Sequence, residues 1–356
     1  MKEKVKGTIN GILMIVLFGL IVMIGYKLLF PIDQSELEQT AKIQSSNKIK
    51  IGFSLGTLKE ERWFKDRDIL MAKVQELGAE IYVHNANNDD LDQLNQVKSL
   101  IKEGIDVLIL VPNDMEKASE AVRLAKKEGI KVISYDRLVI DSNIDMYISF
   151  DNEKVGELMA QALIEENPEG NYLIINGAPT DHNTSMIKNG YNKVLKEYIK
   201  SGKVDVVEEA WAANWMREEA FEVTDKYLSQ GIRFDAILCG NDSLADGAVE
   251  ALSQHRVAGE TNVVGQDADL TACQRIVDDL QLMTVYKPID KLASVTAEIA
   301  VRMARGEDVG TKRKMNIGIF EIPYYVLDPV AITKDNIDET IIRDGFHMRD
   351  EIYDAK

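Results

Sequence analysis

Apolar and polar positions along this chain alternate between two periods. Short apolar runs at 49–54, 80–84, 107–111 and 131–135 have the pattern of buried strands. The run at 107–111 is as continuously apolar as the centre of a parallel sheet requires. Between them, 61–77, 91–103 and 115–128 carry helical spacing and stop at Gly78, Gly104 and Gly129. Glycine suits that position because a helix commonly ends in left-handed backbone.

The pattern then repeats. Residues 146–150 are extended and lead into Asp151-Asn152, which cap a helix over 153–165. Strands follow at 171–176, 204–210, 236–239 and 262–265, with helices at 187–200, 216–228, 244–254 and 271–279. Residues 282–285 are extended, 289–305 form a long amphipathic helix ending at Gly306, and the tail from 319 is strand-like and then irregular. Strand–helix alternation of this kind predicts an α/β fold with two doubly wound parallel-sheet lobes and a cleft between them.

The N-terminus breaks the pattern. No charged residue lies between Gly7 and Tyr26, about the twenty residues needed to cross a bilayer. Lys2, Lys4 and Lys6 precede this run, so the positive-inside rule keeps the N-terminus in the cytoplasm and sends the remainder out. No Ala-x-Ala-like cleavage site follows, and no cysteine near residue 30 offers a lipid attachment point. The expected organisation is a cytoplasmic tip and transmembrane signal anchor over 1–27 and a linker over 28–47. One lobe is then formed by 48–150 with 288–318, and a second by 151–287 with 319–356. The expected location is the cell membrane, single-pass, with the globular domain extracytoplasmic.

Composition narrows the function. The chain has 356 residues, 45% of them apolar, and a formal net charge of −17 with a pI near 4.8. Such acidity argues against nucleic acid, whose binding depends on Lys and Arg neutralising phosphates. Cys239 and Cys273 make no disulfide framework and read as free thiols. The histidines at 84, 182, 255 and 347 are scattered, and no nucleotide-binding, hydrolase or metalloprotease motif occurs. No catalytic residue, metal ligand or cofactor is therefore expected. A helix-turn-helix ahead of Lys48, which a transcription factor would need, is also missing; that stretch is the apolar run.

What the chain does show is a series of strands ending in polar tips: Tyr135-Asp136-Arg137, Asn241-Asp242, Gln266-Asp267 and Tyr286-Lys287-Pro288. In an open α/β sheet, ligands sit outside the carboxyl ends of the strands. Carboxylates, amides and cations placed there suit a small polyhydroxylated molecule, and charge-assisted hydrogen bonds are the strong ones. Aromatic rings cover its C–H faces; Trp63, Trp211 and Trp215 are the three tryptophans. Several of these residues have structural readings as well. Asp136-Arg137 can be an internal ion pair, Asp242 a helix cap with Asn241 left free as a ligand, and Asp267 and Asp269 caps of the next helix.

The residues at these tips sit in longer strings that resemble the bacterial periplasmic D-xylose-binding proteins. The strings are Glu-Arg-Trp-Phe-Lys-Asp-Arg-Asp at 61–68, Tyr-Asp-Arg at 135–137 and Tyr-Ile-Ser-Phe-Asp-Asn-Glu-Lys-Val-Gly-Glu at 147–157. Gly-Gln-Asp-Ala-Asp at 265–269, Met-Thr-Val-Tyr-Lys-Pro at 283–288 and Asp-Gly-Phe-His at 344–347 complete them. The resemblance runs from about Lys48 to the C-terminus. It implies a type I periplasmic-binding-protein fold, two lobes joined by three crossovers that close on one sugar.

Position by position it implies a ligand set. Arg62 and Trp63 come from the first lobe, and Asp136 and Arg137 pair on adjacent hydroxyls. Asp151 and Asn152 lie at the first crossover. Trp215 stacks on the sugar and excludes the hydroxymethyl of a hexose, Asn241, Asp267 and Lys287 complete the cage, and Asn183 is a further candidate. Where the family carries acidic residues early in the first loop, this chain has Gly56-Thr57. Together with the anchor, the resemblance implies a D-xylose or related pentose receptor that reports to a membrane sensor histidine kinase. The alternative is the solute-binding component of an ABC-type xylose importer.

Overall fold

The structure is a computed structural model and describes residues 48–311 and 313–354. The expected anchor over 1–27 and linker over 28–47 lie outside the described residues. No helix among the described residues is long and apolar enough to cross a membrane.

The first lobe winds β1 (Lys50–Leu55), α1 (Glu61–Glu76), β2 (Glu80–Asn85), α2 (Asp90–Lys102), β3 (Val107–Val111), α3 (Ser119–Lys127), β4 (Lys131–Tyr135) and β5 (Met146–Phe150). Both faces of its sheet are covered, and the strands show it residue by residue. Val107, Ile109 and Val111 of β3 enter one buried apolar cluster, while Leu108 and Leu110 enter the other. Each such side chain contributes about 1.5–3 kcal/mol when removed from water.

The second lobe follows with α4 (Asn152–Glu166), β6 (Gly170–Asn176), α5 (His182–Lys200), β7 (Val204–Trp211) and α6 (Arg217–Ser229). It continues with β8 (Ala236–Cys239), α7 (Asp242–Gln254), β9 (Asn262–Gln266), α8 (Leu270–Val277) and β10 (Met283–Tyr286). The chain then returns. Helix α9 (Ile289–Ala304) packs on α1, and β11 (Arg313–Ile317) forms a hairpin with β12 (Phe320–Leu327). After β13 (Val330–Ile332) come one π-helical turn (Asp338–Ile342) and α10 (Arg349–Tyr353).

The two sheets have the orders β11-β12-β5-β4-β3-β1-β2 and β13-β10-β9-β8-β6-β7. All pairings are parallel except β11 with β12 and β10 with β13. Three connections cross between the lobes, as expected, but the last falls later than residue 319. Strand β12 pairs in parallel with β5, so Phe320–Leu327 belongs to the first sheet and the second lobe resumes only at β13. The crossing strands are tied together where Asp151 N donates to Leu327 O at 2.9 Å.

Two helices differ from their expected bounds. Helix α3 begins at Ser119, because 115–118 form turns in which Asp114 accepts from the amides of Glu116 and Lys117. Helix α5 begins at His182, because Asp181 caps it by accepting from Asn183 N at 3.0 Å. Cys239 and Cys273 are free and buried.

Candidate ligand site between the lobes

The strand ends of both sheets face one cavity. Its lining is Glu60, Arg62, Trp63, Asp136, Arg137, Asp181, Asn183, Trp215, Asn241, Gln266, Asp267 and Lys287, around a cavity of about 30 Å³. Every lining side chain is buried, Glu60 being the most exposed at 8%.

Arg62 is the electrostatic centre. Helix α1 carries it inward, and its guanidinium reaches three carboxylates: Nη2 to Asp136 Oδ2 at 2.8 Å, Nε to Asp66 Oδ2 at 3.2 Å and Nη1 to Asp267 Oδ1 at 3.3 Å. Burial alone would pull its pKa down, but these carboxylates outweigh burial and hold it well above the usual value. Burial likewise opposes ionisation of Asp136, yet Arg62 and Lys287 keep that carboxyl below its usual range. Asp66 lies behind, bonded by the Tyr135 hydroxyl, and burial lifts it to about 6. Lys287 closes the set at 2.8 Å from Asp267 Oδ1. Across the cavity Arg137 Nε meets Asp181 Oδ2 at 2.8 Å. Burial pushes Asp181 up, against the pull of Arg137.

Three cavity residues hold left-handed backbone: Asp136 at φ 59°, Trp215 at φ 56° and Asp267 at φ 100°. Such conformations cost energy in residues with a side chain and persist where neighbours fix them. Here they are fixed. Asp136 N donates to Ile148 O, while Tyr147 and Ser149 hydroxyls donate to Asp136 O at 2.9 and 2.7 Å. Asp267 N donates to Val285 O at 2.9 Å, and Ala268 N to Thr284 Oγ1 at 3.2 Å.

The two cavity indoles are set by different means. Trp63 Nε1 donates to Glu60 Oε2 at 2.7 Å, and the Arg62 and Arg137 guanidinium groups lie 4.5 and 5.3 Å from the ring. Trp215 lies over Gly177, where an added Cβ would come within 2.0 Å of the ring. Trp215 Nε1 and Gln266 Oε1 are buried with no hydrogen-bond partner among the described residues.

Nine of the eleven residues singled out from sequence line the cavity: Arg62, Trp63, Asp136, Arg137, Asn183, Trp215, Asn241, Asp267 and Lys287. Asp151 and Asn152 stand outside that lining. Asp151 caps α4 by accepting from Lys154 N at 3.0 Å. Asn152 Nδ2 donates to Asn183 Oδ1 at 3.0 Å, so it braces a cavity residue. Asn183 in turn donates to Asp136 Oδ1 at 3.3 Å. The cap of α7 is Asn241, not Asp242; its Oδ1 accepts from Leu244 N at 2.9 Å. Asn241 thus caps and lines the cavity at once, while Asp242 is fully buried below. Asp269 stands at the cap position of α8 without a side-chain cap bond.

Glu60 and Asp181 were not anticipated. Asp181 lies five residues past the end of β6, farther from a strand end than the residues that were, and caps α5. Gly56-Thr57 line no part of the cavity, and the first-loop carboxylate comes from Glu60.

The arrangement sets carboxylates against cations almost pair for pair. An ion of either sign would find its countercharges already engaged, whereas a neutral hydroxyl-rich guest can bond to both members of each pair. No group of three or more His, Cys, Asp or Glu among the described residues could hold a metal ion.

Comparison with known proteins agrees with this fold. Residues 51–308 match the periplasmic binding protein domain family, and the chain belongs to it. Its members are binding proteins rather than enzymes. Over 309 residues the chain is 45% identical to the D-xylose-binding periplasmic protein of Haemophilus influenzae, covering 86% of this chain and 93% of that protein. The protein of the same name in Escherichia coli is 42% identical over 308 residues, with the same coverage. Among solved structures, a carbohydrate transporter solute binding protein from Chloroflexus aurantiacus in complex with D-glucose superposes with a TM-score of 0.80. It is 27% identical, and the match covers 86% of this chain and 98% of that one.

Proposed function

We propose that this protein is an extracytoplasmic receptor that closes its two lobes on D-xylose. The observation that carries the reading is the cavity's internal charge pairing, with Trp215 Nε1 and Gln266 Oε1 left as a donor and an acceptor without partners. A neutral monosaccharide supplies hydroxyls to those atoms and C–H faces to the indoles. The identity to two proteins named for D-xylose supports a pentose over other small polyols. Trp215, whose ring lies against Gly177, is the residue assigned in this reading to exclude a hexose hydroxymethyl. A tryptophan fluorescence titration tests it, since Trp63 and Trp215 both line the cavity. Saturable quenching or enhancement by D-xylose supports the reading; an unchanged spectrum at millimolar sugar contradicts it.

The uncharged run at 7–26 supports retention at the cell membrane beside a fixed partner. In the first reading that partner is the extracytoplasmic domain of a sensor histidine kinase, to which the closed lobes are presented. In the second it is an ABC permease, and the likeness to a carbohydrate transporter component favours this reading. Deleting the gene and measuring xylose uptake separates them: lost uptake identifies the importer, and retained uptake with a lost transcriptional response identifies the sensor.

A further inference from the structure

The lobes also meet outside the cavity, between α1 of the first lobe and the last segment of the chain. Helix α1 carries Arg62 and Trp63 into the cavity, and Lys65 follows on the same helix. The Lys65 ammonium lies 3.9 Å from the centre of the Phe346 ring, donates to Phe346 O at 3.1 Å and sits 3.3 Å from His347 Nδ1. On the other side of the imidazole, Nε2 is 2.8 Å from Ala268 O. A carbonyl only accepts, so Nε2 carries the hydrogen and Nδ1 is left to accept from Lys65. His347 is thus a neutral bridge, with one nitrogen on each lobe. Next to it Leu270 N donates to Glu61 Oε2 at 3.1 Å, again from one lobe to the other.

The second-lobe end of the bridge matters for binding. Ala268 has φ 56° and directly follows Asp267 at φ 100°, whose carboxylate meets Arg62 and Lys287 in the cavity. A turn of two consecutive left-handed residues with side chains needs external bonds to hold it.

We propose that Lys65 and His347 form a positioning latch that holds the Asp267-Ala268 turn in its ligand-binding geometry, slows sugar release from the closed lobes, and opens in acid. The proposal rests on the reading above that the lobes close on a sugar. Protonating Nδ1 removes the acceptor for Lys65 and places two cations 3.3 Å apart. The charged groups facing the imidazole are Lys65 and Glu61 from α1 and Glu351 from α10. Burial and Lys65 hold the imidazole below its ordinary range, against the pull of the two glutamates. The sign follows. Opening removes Lys65 and so raises the pKa of the imidazole, and protons therefore favour the open state. Affinity is full above the open-state pKa and is lost as pH falls from there through the lower value of the closed state.

The test is the rate of D-xylose release from the full-length protein in mild detergent, by stopped-flow fluorescence at pH 7.5 and 5.5. Wild type should release sugar about tenfold faster at pH 5.5, the scale of one lost charge-assisted hydrogen bond. Lys65→Met should release it about tenfold faster than wild type at pH 7.5 and at a similar rate at pH 5.5. His347→Gln can donate to Ala268 O and accept from Lys65 without titrating, so at pH 5.5 it should hold sugar longer than wild type. Slope that survives in His347→Gln belongs to other groups, such as the buried Asp242 and Asp269. Equal release rates for wild type and Lys65→Met at pH 7.5, or the wild-type slope retained in full by His347→Gln, would overturn the latch. Failure of wild type to bind D-xylose at either pH counts against the pentose reading alone. The same variants are then measured with whichever monosaccharide binds.

Discussion

Arg137 at the end of β4 and Asp181 at the head of α5 face each other across the two lobes, Nε to Oδ2 at 2.8 Å, with both side chains buried. One charge belongs to each lobe, so the pair joins the two lobes in this structure. Breaking a buried pair by removing one charge costs about 3–5 kcal/mol, because the other is left without a partner. Asp181 also caps α5, and asparagine caps equally well. Asp181→Asn is therefore expected to weaken D-xylose binding at least about tenfold by calorimetry, even if only part of that cost is felt. The unfolding midpoint without sugar should stay near wild type. Unchanged affinity would show that the pair plays no part in closure.

Asp136 separates charge from backbone. Its φ of 59° is a conformation that asparagine adopts readily and β-branched residues do not. Asp136→Asn should keep the backbone turn, cost less stability than Asp136→Val, and lower binding more than about tenfold, because Arg62 loses its shortest ion pair. Asp136→Val should lose both. Urea unfolding run beside calorimetry distinguishes the two, and a stable, fully binding asparagine variant would remove the carboxylate from the account.

Gly177 predicts the role of Trp215 from outside the indole. A Cβ there would lie 2.0 Å from the ring, so Gly177→Ala must displace it. Binding should fall to the level of Trp215→Ala, with the fluorescence change on sugar addition altered in both. Gly177→Ala binding as wild type would mean the ring can move without consequence.

Asp242 predicts a pH slope in stability. Its carboxylate accepts from Thr284 Oγ1 at 2.7 Å, Gln281 Nε2 at 2.8 Å and Asp269 N at 3.1 Å, yet burial dominates and pushes it up to about 7. A raised carboxyl binds its proton more tightly folded than unfolded, so its contribution is full at acid pH and is lost as pH rises towards 7. The slope for one such proton is at most about 1.4 kcal/mol per pH unit. Urea unfolding between pH 5 and 8 should show wild type losing more stability than Asp242→Asn. Parallel curves would place the titration elsewhere.

The sequence carried the strands and helices of both lobes because their signals are local: apolar runs as in β3, helical spacing as in α1, and a glycine such as Gly78 with φ 81° where a helix must stop. It did not carry the sheet to which Phe320–Leu327 belongs. Nothing within that strand records a parallel pairing to β5 more than 150 residues earlier; only the fold brings the two together. At the site, the rule that polar strand ends converge points to Asp136, Asn241, Asp267 and Lys287, and all four line the cavity. Asp181 escaped the rule because it lies five residues beyond the end of β6 and not at the strand tip. Asn152 failed for the opposite reason. Its neighbours in sequence put it near the ligand, but its side chain is directed to Asn183.

The most direct measurement is isothermal titration calorimetry of the protein with D-xylose, L-arabinose, D-ribose and D-glucose. The account predicts one-to-one binding of D-xylose, weaker or absent binding of the other pentoses, and none of D-glucose. Binding of D-glucose as tight as D-xylose, or no heat with D-xylose, would contradict it.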